Sequence, residues 1–227
     1  MREIALDTET TGFDPFTGDR VIEIGCVEMF NQVRTGKVWQ AYINPKRKVP
    51  ESAFKVHGIS DEFLKDKPFF EAIAKDFLSF IGDSDLVIHN AKFDLKFLNY
   101  ELSLLNIPPI PPTRATDTLL IARQKFPGSP AKLDALCKRF AIDTSARKYH
   151  GALLDSELLA DVYLELMGGR QENLLLGNEK NTSTAQNQAI EIVKTIIPAR
   201  SFPPSASEME AHIAFLGKIK NPLWEHL

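Results

Sequence analysis

The chain has 227 residues and a formal net charge of −3, so it lacks the basic excess with which a free-standing nucleic-acid binder neutralises phosphates. A nucleic-acid ligand would have to be held weakly or be delivered by a partner. No apolar run reaches the roughly 18 residues of a membrane span, and Met1-Arg2-Glu3 does not open a signal peptide. Cys26 and Cys137 stand far apart without a C-x-x-C pair, which argues against a disulfide framework or a zinc site. The expectation is a cytoplasmic protein without membrane association, built as one domain of ordinary size plus an additional segment.

The first strand is read at Ile4-Ala5-Leu6-Asp7-Thr8-Glu9, ending in Thr10-Thr11-Gly12. After a turn-rich loop, Val21–Met29 and Val38–Ile43 read as second and third strands, joined closely enough to pair antiparallel. The basic turn Asn44-Pro45-Lys46-Arg47-Lys48 is read as a solvated loop tip rather than a phosphate contact. His57 falls in a loop before the next helix. Pro68–Ile81 is then expected as a helix with Phe69, Ile73, Phe77 and Phe80 on its core face. Leu86-Val87-Ile88 forms a short buried strand, and Asn90 is placed to cap a helix from Ala91 to Leu105. Further helices are expected to start at Asp117, read as a cap rather than a ligand, and at Ser129-Pro130. A last helix, Leu153–Met167, stops at Gly168-Gly169. The fold class is therefore α/β: antiparallel opening strands, then parallel additions, flanked by helices. Residues 1–170 are assigned to this domain, 171–188 to a flexible linker rich in polar residues, and 189–227 to a tail. The tail closes with an amphipathic helix in which Ser207 and Glu210 match a capping box and Met209, Ile213 and Leu216 share a face.

Candidate chemistry lies in the acids. Side chains alternate along a strand, so Asp7 and Glu9 share a face while Ile4 and Leu6 enter the core. Two carboxylates side by side repel each other; they form either a surface turn or a site for a divalent cation that prefers oxygen ligands. Asp94, in the first turn of its helix, either complements the helix dipole or leans back toward the first strand. Asp155 lies one turn before Leu158, Leu159, Val162 and Leu166 on the buried face of the last helix. There it is an N-cap or a carboxylate that needs a partner or a metal. His150, five residues earlier, is rotated by roughly 140° from Asp155 on a regular helix, so it belongs to the loop entering that helix. An imidazole there is suited to accept a proton from water at neutral pH.

In order and spacing, Asp7-x-Glu9, His89-Asn90-x-x-Phe93-Asp94 and His150-x-Ala152-x-x-Asp155 resemble the motifs of the histidine branch of the DnaQ-like 3′→5′ exonucleases. The resemblance spans roughly residues 1–170. It implies a ribonuclease H-like fold, two Mg²⁺ or Mn²⁺ ions on Asp7, Glu9, Asp94 and Asp155, and His150 as general base. It also implies hydrolysis that releases mononucleotide 5′-phosphates from a DNA 3′ end. By the same resemblance Asp7, Glu9 and Asp155 also lie against the substrate. His57, in Val56-His57-Gly58-Ile59, lies over the terminal nucleotide, and Thr10 and Thr11 abut its sugar or base. Ser52 falls where some members bring an acidic side chain, with Glu51 one place out of register.

The closing segment resembles the C-terminal extension of the family's proofreading members, the epsilon-type subunits of bacterial DNA polymerase III. That extension docks on the polymerase catalytic subunit, and Met209, Ile213, Leu216 and Trp224 would carry the contact. A helix folded back on the domain is the competing reading. Gln171-Glu172-Asn173-Leu174-Leu175-Leu176 resembles a sliding-clamp-binding peptide, with Gln171, Leu174 and Leu176 as its anchors. A stand-alone exonuclease trimming RNA ends, and a non-catalytic scaffold joining polymerase to clamp, remain as alternatives; the filled catalytic positions weigh against the scaffold.

Overall fold

Alternating apolar residues place β1 (Arg2–Thr10) at the middle of a five-stranded sheet in the computed structural model, which describes residues 1–145, 149–169 and 203–219. β2 (Val21–Phe30) pairs antiparallel with β1, and β3 (Val33–Tyr42) pairs antiparallel with β2. The third strand starts five residues before the expected Val38. Asn31 and Gln32 both take positive φ, 50° and 67°, the signature of a two-residue turn matched to strand twist. The hairpin therefore zips from Phe30 opposite Val33, and the polar Arg34-Thr35-Gly36-Lys37 is carried into an exposed edge strand.

Three helices follow: α1 (Glu51–His57), α2 (Asp61–Leu64) and α3 (Phe70–Ile81). His57 thus ends a helix rather than lying in a loop. Its helix starts straight after Pro50, whose fixed φ suits an entry residue, and stops at Gly58 with φ 69°. The core stripe of α3 is Phe70, Ala74, Phe77 and Ile81, with Ile73 and Phe80 half-buried beside it. Phe69 lies before the first helical residue and is exposed, its ring under the Lys46 ammonium at 4.1 Å.

β4 (Asp85–Ile88) runs parallel to β1 and β5 (Ala115–Asp117) parallel to β4, giving the order β3-β2-β1-β4-β5. This is the mixed sheet expected, and the C-terminal ends of β1 and β4 open at one edge. α4 (Ala91–Leu104) starts there. Asn90 precedes α4 but takes a left-handed conformation, φ 72°, and its side chain caps nothing. The Asp117 carboxylate does so instead, accepting from Asn90 N and Ala91 N at 3.1 Å each and from Leu119 N at 2.9 Å. One acid thereby caps both α4 and α5 (Thr118–Lys125). α6 (Leu133–Arg139) begins three residues after Pro130.

Both faces of the central strands are covered. Ile4, Leu6, Ile24, Leu86 and Ile88 pack on Phe77, Phe97 and Leu98 of α3 and α4. Ala5, Val27, Met29 and Val87 pack on Leu159, Ala160 and Tyr163 of α7 (Ala152–Leu166). The first turn of α7 is seated on β2: Ser156 Oγ donates to Gly25 O at 2.9 Å and Ala152 N donates to Glu23 Oε2 at 3.1 Å. Gly25 makes the seat possible, since a Cβ there would run into the backbone of Ala152 and Leu153. Isolated glycines in strands mark such close approaches.

The chain falls into two units, Met1–Leu176 and Gly177–Leu227. In the second, α8 (Ala206–Leu216) has the expected capping box two residues early. Ser205 Oγ accepts from Glu208 N and Glu208 Oε2 accepts from Ser205 N. Ser207 lies inside the first turn because the helix starts directly after Pro203-Pro204-Ser205. Among the described residues no helix is long and apolar enough to cross a membrane. Gly25→Ala is expected to push the first turn of α7 off β2 and lower the melting temperature while leaving the helical content at low temperature unchanged. Thermal melts followed by circular dichroism check this.

Candidate active site

The strand alternation that buries Ile4 and Leu6 against α4 turns Ala5, Asp7 and Glu9 toward α7. Gly25, opposite Asp7 in the sheet register, lets α7 come close enough for Asp155 to reach them. Asp155 is the fourth residue of α7, after Gly151 at the N-cap position, so it is not a cap. It is 3% exposed, as is Asp94. Asp94 enters from the first turn of α4, and Thr8 Oγ1 donates to its Oδ1 at 2.7 Å. Glu9, His150 and Asp155 each offer a ligand atom, all within 4.8 Å of one another.

His150 lies in the loop entering α7, as expected, with Nδ1 3.2 Å from Asp155 Oδ2. Its backbone N donates to Val56 O at 3.2 Å, which ties it to the end of α1. His57 beside it is 5% exposed, and its Nδ1 accepts from Ile59 N at 3.0 Å. That bond places the proton of the neutral ring on Nε2, which finds no acceptor among the described residues. Burial and the neighbouring His150 lower the His57 pKa, favouring this neutral form.

Removal from water, and then repulsion by Asp94, Glu9, Asp155 and Glu23, raise the Asp7 pKa well above the ordinary carboxyl value. Burial pushes Asp94 up to about 7, against the opposing bond from Thr8. Positive charge placed among such acids favours their ionised forms. An all-oxygen donor set of this kind suits hard divalent cations, so the residues present fit a metal centre.

A cavity of about 560 Å³, within the roughly 300–1,000 Å³ typical of ligand sites, gathers Asp7, Glu9, Asp94, Asp155 and His150, with Phe93, Leu119, Arg123 and Lys132 on its walls. Other expected positions lie elsewhere. Ser52 is exposed in the first turn of α1 and does not line the cavity. Thr10 Oγ1 donates to Gly12 O, and Thr11 Oγ1 accepts from Arg20 N, so both hydroxyls serve the turn after β1. Met209 and Ile213 are exposed and Leu216 half-buried on α8. Gln171, Leu174, Leu176 and Trp224 lie outside the described residues. Sequence reasoning missed Thr8, Glu23 and Gly25. Only Gly25 carried a signal, a lone glycine inside an apolar strand.

A family model described as "Exonuclease" matches residues 4–163. Among curated proteins, the DNA polymerase III subunit epsilon of Rickettsia typhi is 52% identical over 225 residues, covering 96% of this chain and 97% of that one. The Escherichia coli K12 protein of the same name is 44% identical, covering 96% and 93%. Among solved structures, Exonuclease X in complex with 5′ overhanging duplex DNA aligns with a TM-score of 0.57 at 24% identity, covering 73% of this chain and 90% of that one. The nuclease domain of 3′hExo, a DEDDh family member bound to rAMP, aligns with a TM-score of 0.61 at 19% identity, covering 73% and 91%. At these identities the structural likeness is one of fold, and it bears out the expected architecture.

The metal-free fold holds the Asp94 proton more tightly than an unfolded carboxyl of pKa about 3.9 does. Its contribution is therefore fully present below about pH 4 and is lost as pH rises through about 7. Thermal melts in chelator should show Asp94→Asn gaining stability relative to the parent across that window, on the order of a few kcal/mol at pH 8. Added Mg²⁺ should raise the melting temperature of the parent and not of the variant.

Proposed function

The chain belongs to the exonuclease family, and we propose that it works as the proofreading 3′→5′ exodeoxyribonuclease of a bacterial replicative polymerase, DNA polymerase III. It is a metal-dependent 3′→5′ exonuclease acting by hydrolysis. Its single-stranded or frayed DNA 3′ end loses one nucleoside 5′-monophosphate at a time. The observation that carries this reading is the convergence of acids from β1, α4 and α7 with His150 in one cavity. Relatives named DNA polymerase III subunit epsilon match almost end to end.

In this reading Asp7, Glu9, Asp94 and Asp155 would hold two divalent cations, Mg²⁺ or Mn²⁺. When bound, such ions polarise a phosphodiester and acidify water. His150 then takes the proton of the attacking water. Its Nδ1 faces Asp155 Oδ2; with the proton on Nδ1, that bond fixes the ring and leaves the Nε2 lone pair as the base. His57 presents its Nε2–H to the terminal nucleotide, which supplies the acceptor that the described residues do not. His57 is not among the residues that line the cavity around the acids; Phe93 and Leu119 give that cavity an apolar wall. Thr10 meets the nucleotide through backbone and methyl group, since its hydroxyl is engaged with Gly12.

The tail supplies delivery. Met209, Ile213 and Leu216 on α8, with Trp224 beyond it, dock on the polymerase catalytic subunit. Gln171, Leu174 and Leu176 bind the sliding clamp. A nuclease of net charge −3 then receives DNA through the high effective concentration that a tether creates rather than through its own affinity. The site of action is the bacterial cytoplasm.

His150→Ala should lower turnover on a 3′-mismatched DNA primer by about 10²–10⁴-fold while Mn²⁺ titration by calorimetry still shows binding. Metal affinity lost along with activity would make His150 a ligand instead of a base. A peptide spanning residues 171–176 should bind the clamp in a fluorescence titration, and its Gln171→Ala/Leu174→Ala counterpart should bind at least tenfold more weakly.

A further inference from the structure

Past the acids, the cavity has a second wall made by α5 and α6. In the sheet order, β1 separates the α1 end, where Ile59 packs on Ile22 of β2, from the β4–β5 end, where α5 begins. The acids therefore lie between two flanks. The α1 flank carries His57 and His150; the α5 flank carries Arg123 and Lys132, both exposed and both lining the same cavity. Leu119 and Arg123 stand one turn apart on α5, and Lys132 directly precedes α6. This wall is fastened to β4. His89, the residue after the strand, contacts Thr118 Oγ1 through Nδ1 at 2.9 Å and stands against the Ala131 backbone.

Several cations of the domain are paired with acids. Arg20 is paired with Glu101, Arg47 with Asp19 and Lys96 with Asp14. Among the described residues, neither Arg123 nor Lys132 forms a salt bridge. Charge balance gives them a task. Two dications would be neutralised by the four carboxylates that hold them, so they leave no net positive charge for the rest of a polyanionic strand. Every phosphodiester beyond the one being cut still needs a counter-charge in a chain that is acidic overall.

We propose that Arg123 and Lys132 form a phosphate-binding lip that takes the DNA backbone upstream of the scissile bond and positions it for cleavage. The proposal rests on the exonuclease reading and adds the path of the strand: the terminal nucleotide lies toward His57, and the chain leaves over α5 and α6.

The test compares two substrates on the full-length protein with Mn²⁺. One is a single-stranded deoxyoligonucleotide. The other is the p-nitrophenyl ester of thymidine 5′-monophosphate, which has one phosphodiester and nothing upstream. For the Arg123→Gln/Lys132→Gln variant, the ratio of kcat/KM on the oligonucleotide to kcat/KM on the ester should fall at least tenfold, mostly through KM. The slope of log kcat/KM against log salt on the oligonucleotide should become shallower by about 0.7 per cation removed. Arg123→Lys should restore most of the ratio lost in Arg123→Gln. An unchanged ratio, or equal losses on both substrates, would overturn the lip and leave the exonuclease reading standing. If the unaltered protein fails to hydrolyse the ester, that reading itself falls, and the lip with it.

Discussion

Repulsion among carboxylates crowded at the end of β1 is the constraint around which this molecule is arranged. Asp7, Glu9, Asp94 and Asp155 come from three elements, and two of them are almost wholly removed from water. Left to electrostatics, these elements would separate. They are held by packing that lies elsewhere: Phe77, Phe97 and Leu98 behind one face of the sheet, and Leu159, Ala160 and Tyr163 behind the other. The apolar core thus sustains a site that works against the stability of the metal-free fold, an exchange common where activity needs a destabilised centre.

The devices that fix the approach are small and local. Gly25 removes a side chain so that α7 can rest on β2, and Ser156 and Glu23 bond that seat in place. Asp117 stitches the starts of α4 and α5 together with a single carboxylate. Because α4 carries Asp94 and α5 carries Arg123, this one cap sets the spacing between the acidic and basic parts of the cavity. Thr8, on the face of β1 opposite Asp7 and Glu9, holds Asp94 from behind. The result is a cluster of acids with Arg123 and Lys132 on one wall, along the C-terminal edge of a parallel strand pair, where open α/β sheets place their ligands.

Net charge and architecture fit each other. An acidic chain with a basic excess nowhere in its composition would be a poor scavenger of DNA in solution. A nuclease that must leave correctly paired ends intact gains from weak affinity of its own, because the partner that presents the strand then governs when hydrolysis occurs. Arg123 and Lys132, which form no salt bridge among the described residues, line the cavity wall.

How much of this was legible beforehand can be traced residue by residue. Period-two and helical patterning located the strands and helices, while the resemblance of the stretches around Asp7, Asp94 and Asp155 to the motifs of a known exonuclease branch picked out the residues that converge. The patterning is local, and a sequence records local properties directly. A distant group, Asp117, replaced Asn90 as the cap of α4, whereas the extension of the third strand through Arg34–Lys37 and the helix ending at His57 follow from the neighbouring turn at Asn31-Gln32 and from Pro50 and Gly58. Which face of β1 meets α7, why Gly25 must be a glycine, and which cations stay unpaired were decided only by tertiary structure, because each depends on atoms brought into contact from parts of the chain more than a hundred residues apart or from separate elements whose docking no local pattern encodes.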